Sequence, residues 1–535
     1  MSFKLNDHQQ LTLHDSFLNL SPRVQKIVRN SWCSDFAEIV FPAINEARFA
    51  VLYNDNPASR PNTPVNFIIG ALMLKETGNL SDDELLESIC CDVRYQYALH
   101  STHYKEQPVS DRTFSRFRER IYNYRLETGR DLLEEEMENL NQTYSKYMNL
   151  QGNMKRMDSL MVASHCKSMS RLEVIYQTTA NAIKLIDRLG RRDLLTRDLL
   201  HYLEEGDYNN TIYYCKGEDA EPRLQKAIRE AEAVKGIMAD DIWHETSEYK
   251  LLIRVLNEQT ECGEDGGTIP KNKKDISPSC LQNPSDPDAT FRSKAGKGHK
   301  GYSTNIIETV GDEGSLITGI RVEPNTYSDS QFCKDYIGQK ADDSPETMIA
   351  DGAYGGTENQ ALAGEKNINL VTTCLTGPDV DTIFAQFILN EEETQVVGCP
   401  MGHAPVKTTH YPKTGMCRAL FAKSCCENCP NKDACKAKPQ KKNFAVHVSG
   451  KMVQRAKYKE KLSTEEYQKL TRMRNAIEGI PSVLRRRYHI DDIPTYGLLR
   501  ITTFIQFKAM AYNFVKVRLY RRRHRGNCAI QPAIG

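Results

Sequence analysis

Three acidic side chains stand in settings that suit chemistry. Asp158 lies inside the run MKRMDSLMVAS (154–164), which reads as a strand. Aspartate is depleted in strands. A carboxylate buried in one must be paired, hydrogen-bonded or metal-bound, because an isolated buried charge is costly. Asp351 ends a short apolar run and precedes Gly352. That puts it at the carboxyl edge of a strand, where α/β sheets keep their ligands. The plain alternative is an aspartate that starts a turn. Glu478 has Arg474 four residues before it and Arg485 seven after. On a straight helix the three would share a face, although Pro481 would kink that helix and turn Arg485 aside. The plain alternative is an exposed ion pair of little energetic consequence.

A second cluster is made of sulfur. The chain holds 16 cysteines, scattered except for a group near 399–435. In a reducing compartment such a group reads as a metal site rather than a disulfide framework. Cys426 and Cys429 form a C-x₂-C knuckle. Cys399, Cys426, Cys429 and Cys435 are the expected ligands of a structural Zn²⁺, since four thiolates suit its tetrahedral shell. Cys417, Cys425 and His403 are rival ligands, and buried free thiols are the alternative to any metal.

Charge points to a partner only locally. The formal net charge is +1. The stretch 485–525, however, carries Arg485, Arg486, Arg487, Arg500, Lys508, Lys516, Arg518, Arg521, Arg522, Arg523 and Arg525 against Asp491 and Asp492. Such a run would contact DNA phosphates by releasing counterions; a solvated helical face is the alternative. No apolar run reaches the roughly 18 residues of a membrane span, and the N-terminus lacks a signal peptide's apolar stretch. The expected location is cytoplasmic.

These residues need elements to position them. Residues 1–150 read as helical, with a helix over Val65–Gly78 and a Ser81–Glu84 capping box opening the next. Ser110 is expected to cap a helix bearing Arg112, Arg116, Arg118 and Arg120, which would make this a small DNA-binding helical domain; a helical packing domain with a charged outer face is the equal alternative. After the Asp158 strand, 172–258 is helical and 259–299 is a polar linker. Then come a hairpin over 301–310 and 315–324, the strand ending at Asp351, a helix from Thr357 and a strand over 368–373. Strands mixed with crossover helices argue for an α/β core. From Thr464 to about Arg523 the chain is again helical.

Together the motifs resemble a known family. The run RNAIEGIPSVLRRRY, with Arg474, Glu478 and Arg485 at their spacing, resembles the Tyr-Arg-Glu-Lys signature of the DDE insertion-sequence transposases of the insertion sequence four and five superfamily. Thr471 stands where that signature has Tyr, and Arg485 where it has Lys. ADGAYGG resembles the family's second-Asp motif and MDSLMVAS its first. The segments NPSDPDATF…KGHKGYSTN and RPNTPVNFIIGALMLKETGNLSDDELLESI…PVSDRTFSRFRERI resemble the branch typified by insertion sequence eleven-eighty-two. The cysteine pattern also matches that branch.

The resemblance implies a cut-and-paste DNA transposase, bacterial-type and nucleoid-associated, with an RNase H-like catalytic core. It implies that Asp158, Asp351 and Glu478 are catalytic and hold two Mg²⁺ (or Mn²⁺) ions. Arg474, Arg485, Arg486, Arg487, Arg116 and Arg120 would bind DNA. The partners would be transposon-end and target double-stranded DNA, with a homodimer at paired ends. The expected layout is a helical N-terminal domain (1–150) and a first core part (151–390) with a helical insertion at about 166–260. A cysteine-rich zinc module (391–445) and C-terminal helices with a basic tail (446–535) complete it. Rival readings are an RNase H-like nuclease or resolvase without strand transfer, and a non-catalytic DNA-binding protein derived from a transposase.

Overall fold

The strand around Asp158 forms as β1 (Met154–Ala163) at the centre of a mixed sheet. The computed structural model describes every residue except 7–14, 57, 215–219, 264–265, 295, 376 and 525–535. β2 (Lys297–Gly311) runs antiparallel to β1, with Asp158 opposite Ile306. β3 (Gly314–Pro324) completes the expected hairpin. β4 (Glu346–Ala350) and β5 (Ile368–Thr372) add on the other side, parallel to β1. The order is β3-β2-β1-β4-β5, and a sixth strand, Thr290–Lys294, pairs with the start of β2.

Both faces of the sheet are covered, which is why β1 can be apolar on both sides. One face meets helices Asp329–Gln339 and Thr357–Glu365 through Met157, Phe332, Met348 and Leu370. The other face belongs to a larger apolar core. That core is continuous from Phe36 and Phe67 through Leu160, Tyr302 and Ile317 to Ile480 and Phe514. Its centre is α1 (Val65–Gly78), in which every residue from Val65 to Glu76 is buried. Such a helix is apolar all round rather than along one stripe. The Ser81–Glu84 capping box forms as expected.

α2 (Leu132–Tyr147) and the C-terminal helices close over this face. The expected single helical stretch is three helices: α3 (Glu465–Arg474), α4 (Gly479–Tyr488) and α5 (Leu498–Arg523). Pro481 does not kink a helix. It sits in the first turn of α4, where the backbone N–H groups have no intrahelical partner to lose.

Buried polar groups fix the register of these layers. Asn513 of α5 accepts from the Ile317 N–H (2.8 Å) and donates to the Ile317 carbonyl (2.7 Å) and to Asn141 of α2 (2.8 Å). The amide thus imitates a neighbouring strand along β3. Lys508 of α5 donates to Glu76 of α1 and to the carbonyl of Tyr488 that ends α4, each at 2.6 Å.

Two compact units are inserted. Helices Arg171–Arg188, Ala220–Ile237 and Ser247–Gln259 sit between β1 and β2 around their own core of Ile183, Ile228, Trp243 and Val255. The expected continuous helical stretch 172–258 is therefore broken by short turns. The second unit follows β5. Lys407–Tyr411, Met416–Ala422, Asn443–Ser449 and Lys438–Pro439 form a four-stranded antiparallel sheet around Phe421 and Val448.

Two local expectations fail. The polar linker 259–299 contains a small hairpin (Thr260–Cys262 with Thr268–Pro270), the strand Thr290–Lys294 and the first turns of β2's pairing. Lysine and glycine carry no strand signal there; cross-strand hydrogen bonds overrode propensity. Ser110 does not cap the helix Thr113–Thr128, whose N-cap position is Arg112 with no side-chain cap. Ser110 instead bonds Thr113 through its N–H (2.8 Å).

Asn513→Ala would leave the Ile317 N–H without its acceptor, while Asn141 still donates to the Ile317 carbonyl, and should cost roughly 1–3 kcal/mol in denaturant melts. Glu136 of α2 gives a pH effect. Burial pushes its carboxyl up to about 7, against opposing hydrogen bonds from Asn45 and Asn139. Its pKa is raised on folding, so its contribution is present in acid and lost as pH rises through about 7. Thermal melts of the wild type should show that loss, and melts of Glu136→Gln should lack it.

Candidate active site

Strand pleating puts Arg156, Asp158 and Leu160 of β1 on one face. Arg156 pairs with Glu308 of β2 (Nη2 to Oε2, 2.7 Å), with side chains only 8% and 2% exposed. Its Nη1 also donates to the carbonyl of Met473 at 2.8 Å. Met473 precedes the last residue of α3, which is Arg474. The strand that carries Asp158 therefore fixes the helix end that carries Arg474.

Asp351 follows β4 directly, as expected. Its Oδ1 accepts from the Gly352 N–H (2.6 Å) and from Thr373 Oγ1 (3.1 Å). Thr373 leaves β5 next door, so two parallel strand ends orient one carboxylate. Glu478 is at the N-cap position of α4, after a turn that ends α3. The Arg474–Glu478 spacing holds across that turn: Nη1 donates to Oε1 at 3.0 Å. Arg474 Nη2 lies 3.7 Å from Asp351 Oδ2. Arg474 is 14% exposed, while Asp351 and Glu478 are 48% and 59% exposed. One shielded guanidinium thus bridges two open carboxylates.

Asp158, Asp351, Arg474, Glu478 and Arg485 line one cleft of about 730 Å³. Arg485 of α4 reaches it by donating to the Met161 carbonyl and to Asp491, each at 3.1 Å. Burial raises the Asp158 carboxyl above its ordinary value, and the neighbouring Asp351 adds to this. The Ser159 N–H, Arg474 and Lys294 oppose it. The cleft thus gathers carboxylate oxygens from three remote segments, with cations on its walls.

The other expected DNA-binding residues lie outside the cleft. Arg486 and Arg487 are exposed on α4. Arg116 is exposed, and Arg120 stacks on the Tyr53 ring at 4.7 Å. Part of the basic C-terminal run is internally bonded: Lys508 to Glu76, Arg518 to Asp35, and Arg521 to Asp35 and Glu38. Arg525 lies outside the described residues. Lys294, His299 and Lys300 line the cleft and were not expected there. Their signal, a dense cationic run, was hidden by the linker reading of 259–299.

Cys399, Cys425, Cys426, Cys429 and Cys435 line one small cavity with Phe421; Cys417 and His403 do not. Burial pushes the Cys435 thiol up to about 12 and Cys426 in the same direction. Among the described residues, no three His, Cys, Asp or Glu side chains are grouped closely enough to hold a metal ion. No described helix is long and apolar enough to cross a membrane.

Residues 24–120 match a family described as Transposase domain, and residues 398–518 match one described as Transposase DDE domain. The second span contains Arg474, Glu478, Arg485 and the cysteine group; Asp158 and Asp351 lie outside both spans. Comparison with curated proteins and with solved structures returned no match. Both matched families are transposase families, so the chain is similar to transposases over these two segments.

Proposed function

We propose that Asp158, Asp351 and Glu478 are the catalytic carboxylates for strand cleavage and strand transfer of an insertion sequence. The observation that carries this is their convergence on one cleft from three remote segments. The core is read as RNase H-like. Supporting this, the strand order is third-second-first-fourth-fifth, with the last two parallel to the first. Asp158 lies on the first strand and Asp351 just after the fourth.

The chemistry of the donor set suits a hard divalent cation, which takes carboxylate oxygens and keeps waters, although Asp158, Asp351 and Glu478 would have to close in around it. Two Mg²⁺ or Mn²⁺ ions bound there would activate the attacking oxygen and stabilise the leaving one. The chain's own residues do the rest. Thr373 and the Gly352 N–H hold Asp351 in orientation. Arg474 neutralises Asp351 and Glu478 and would exchange them for phosphate oxygens when DNA enters the cleft. Arg485, anchored to the Met161 carbonyl, would hold the backbone further along. Water would be the first nucleophile, and the freed 3′-OH the second.

Finer features belong to the same reading. The chain would sit in the insertion sequence four and five superfamily, near the eleven-eighty-two branch, and act as a homodimer on paired ends. Cys399, Cys426, Cys429 and Cys435 would bind a structural Zn²⁺. Their shared cavity supports that set, but the thiols would have to close in and ionise around the metal.

Asp351→Asn should abolish cleavage of a supercoiled plasmid carrying the transposon ends in Mg²⁺. Binding of end DNA in a mobility-shift assay should remain. Normal cleavage by this variant would overturn the assignment, and nicking without integration by the wild type would favour a nuclease. Purified protein should carry about one zinc per chain, lost in Cys429→Ser. Zinc well below stoichiometric in the wild type would remove the metal from the account.

A further inference from the structure

The strand Thr290–Lys294 and the first residues of β2 form a two-stranded arm at one end of the cleft. Residues 290–301 contain Arg292, Lys294, Lys297, His299 and Lys300 and no acidic residue. The register pairs Arg292 with His299 and Lys294 with Lys297. Directly paired residues share a face, as do alternate residues along each strand. Arg292, Lys294, Lys297 and His299 therefore lie on one face of the arm.

The four differ in their ties. Arg292 pairs with Asp329 at 3.5 Å. His299 is half-buried and lines the cleft. Lys294 and Lys297 are exposed, and neither has a carboxylate within ion-pair distance among the described residues. Lys294 lines the cleft with Asp158 and lowers that carboxyl's pKa by its charge.

The arm is also held in place. Gly301 has φ of +148°, and a Cβ there would overlap the Val162 carbonyl of β1. The arm therefore leaves the sheet in direct backbone contact with the strand that carries Asp158. At Gly298 a Cβ would lie 2.6 Å from the Phe291 ring, so the ring packs directly against this glycine of the opposite strand. A chain with glycine at both points can lie closer to its neighbours than any other residue would allow. The cations are thus presented from a fixed arm rather than a loose tail.

We infer that this arm is a phosphate clamp for the DNA strand held over Asp158, with Lys294 and Lys297 binding backbone phosphodiesters beside the bond being cut. They are positioning residues, and the inference rests on the carboxylate assignment above. Two unpaired ammonium groups, Lys294 in the cleft's lining and Lys297 opposite it on the arm, suit a polyanion entering beside the carboxylates. They would offset the repulsion between carboxylates and phosphate, and fix the strand without reading sequence.

The test compares four proteins: wild type, Lys294→Gln/Lys297→Gln, Lys294→Arg/Lys297→Arg, and Asp351→Asn. Binding to a fluorescent duplex of the transposon end is measured across salt concentrations, and single-turnover cleavage at saturating duplex in Mg²⁺. The double variant should flatten the log K against log salt plot by about one to two units, since each phosphate contact contributes about 0.9. Its cleavage at saturation should fall at least about tenfold, as misplacement of a reacting phosphate does. Lys294→Arg/Lys297→Arg should restore the slope, which a merely structural role would not do. An unchanged slope with wild-type cleavage would overturn the clamp, provided Asp351→Asn is inactive. Cleavage by Asp351→Asn would instead overturn the carboxylate assignment itself.

Discussion

Arg156 links three segments that are remote in the chain. Its guanidinium faces Glu308 on β2 and the Met473 carbonyl at the end of α3. Both carboxyl and guanidinium are almost fully buried, so neither can exchange its partner for water. Breaking such a pair costs roughly 3–5 kcal/mol, because the remaining charge is stranded. Asp158 sits two residues from this link and Arg474 one residue beyond it. The distance between a sheet carboxylate and a helix guanidinium is therefore set by one buried guanidinium, ion-paired within the sheet and hydrogen-bonded to the helix end.

The remaining constraints keep α4 and α5 in place around that link. Lys508 joins α5, α1 and the last turn of α4 through two short hydrogen bonds. Asn513 satisfies β3's backbone and reaches α2. The N-terminal helices thus share an apolar core with the sheet and the C-terminal helices. This explains why 1–150 has so many buried side chains, as the packing-domain alternative has it. It also explains the C-terminal arginines. Arg518 and Arg521 look like a DNA-binding run in the sequence, yet they bind Asp35 and Glu38 inside the fold.

Much of the core was legible in the sequence. Asp158 in a strand, Asp351 at a strand end, and the β2–β3 hairpin followed from short apolar runs and their ends. The Arg474–Glu478 contact followed from spacing alone, although a turn rather than a helix carries it. The arm at 290–301 was not legible, because its strands are Lys- and Gly-rich and held by pairing rather than propensity. The cysteine unit's sheet was hidden in the same way, by short strands among turns. Arg156 and Glu308 carry no local signal at all; only the sheet register brings them together.

The central claim is that Asp158, Asp351 and Glu478 act as one metal-binding site on DNA. Anomalous scattering from crystals of the protein bound to transposon-end duplex in Mn²⁺ tests it directly. The account predicts two manganese peaks about 3.5–4 Å apart, in contact with the three carboxylates and a backbone phosphate. Arg474 should then have turned from Asp351 and Glu478 toward the DNA. Manganese bound elsewhere, or an Arg474 still bridging the two carboxylates with DNA in the cleft, would contradict it.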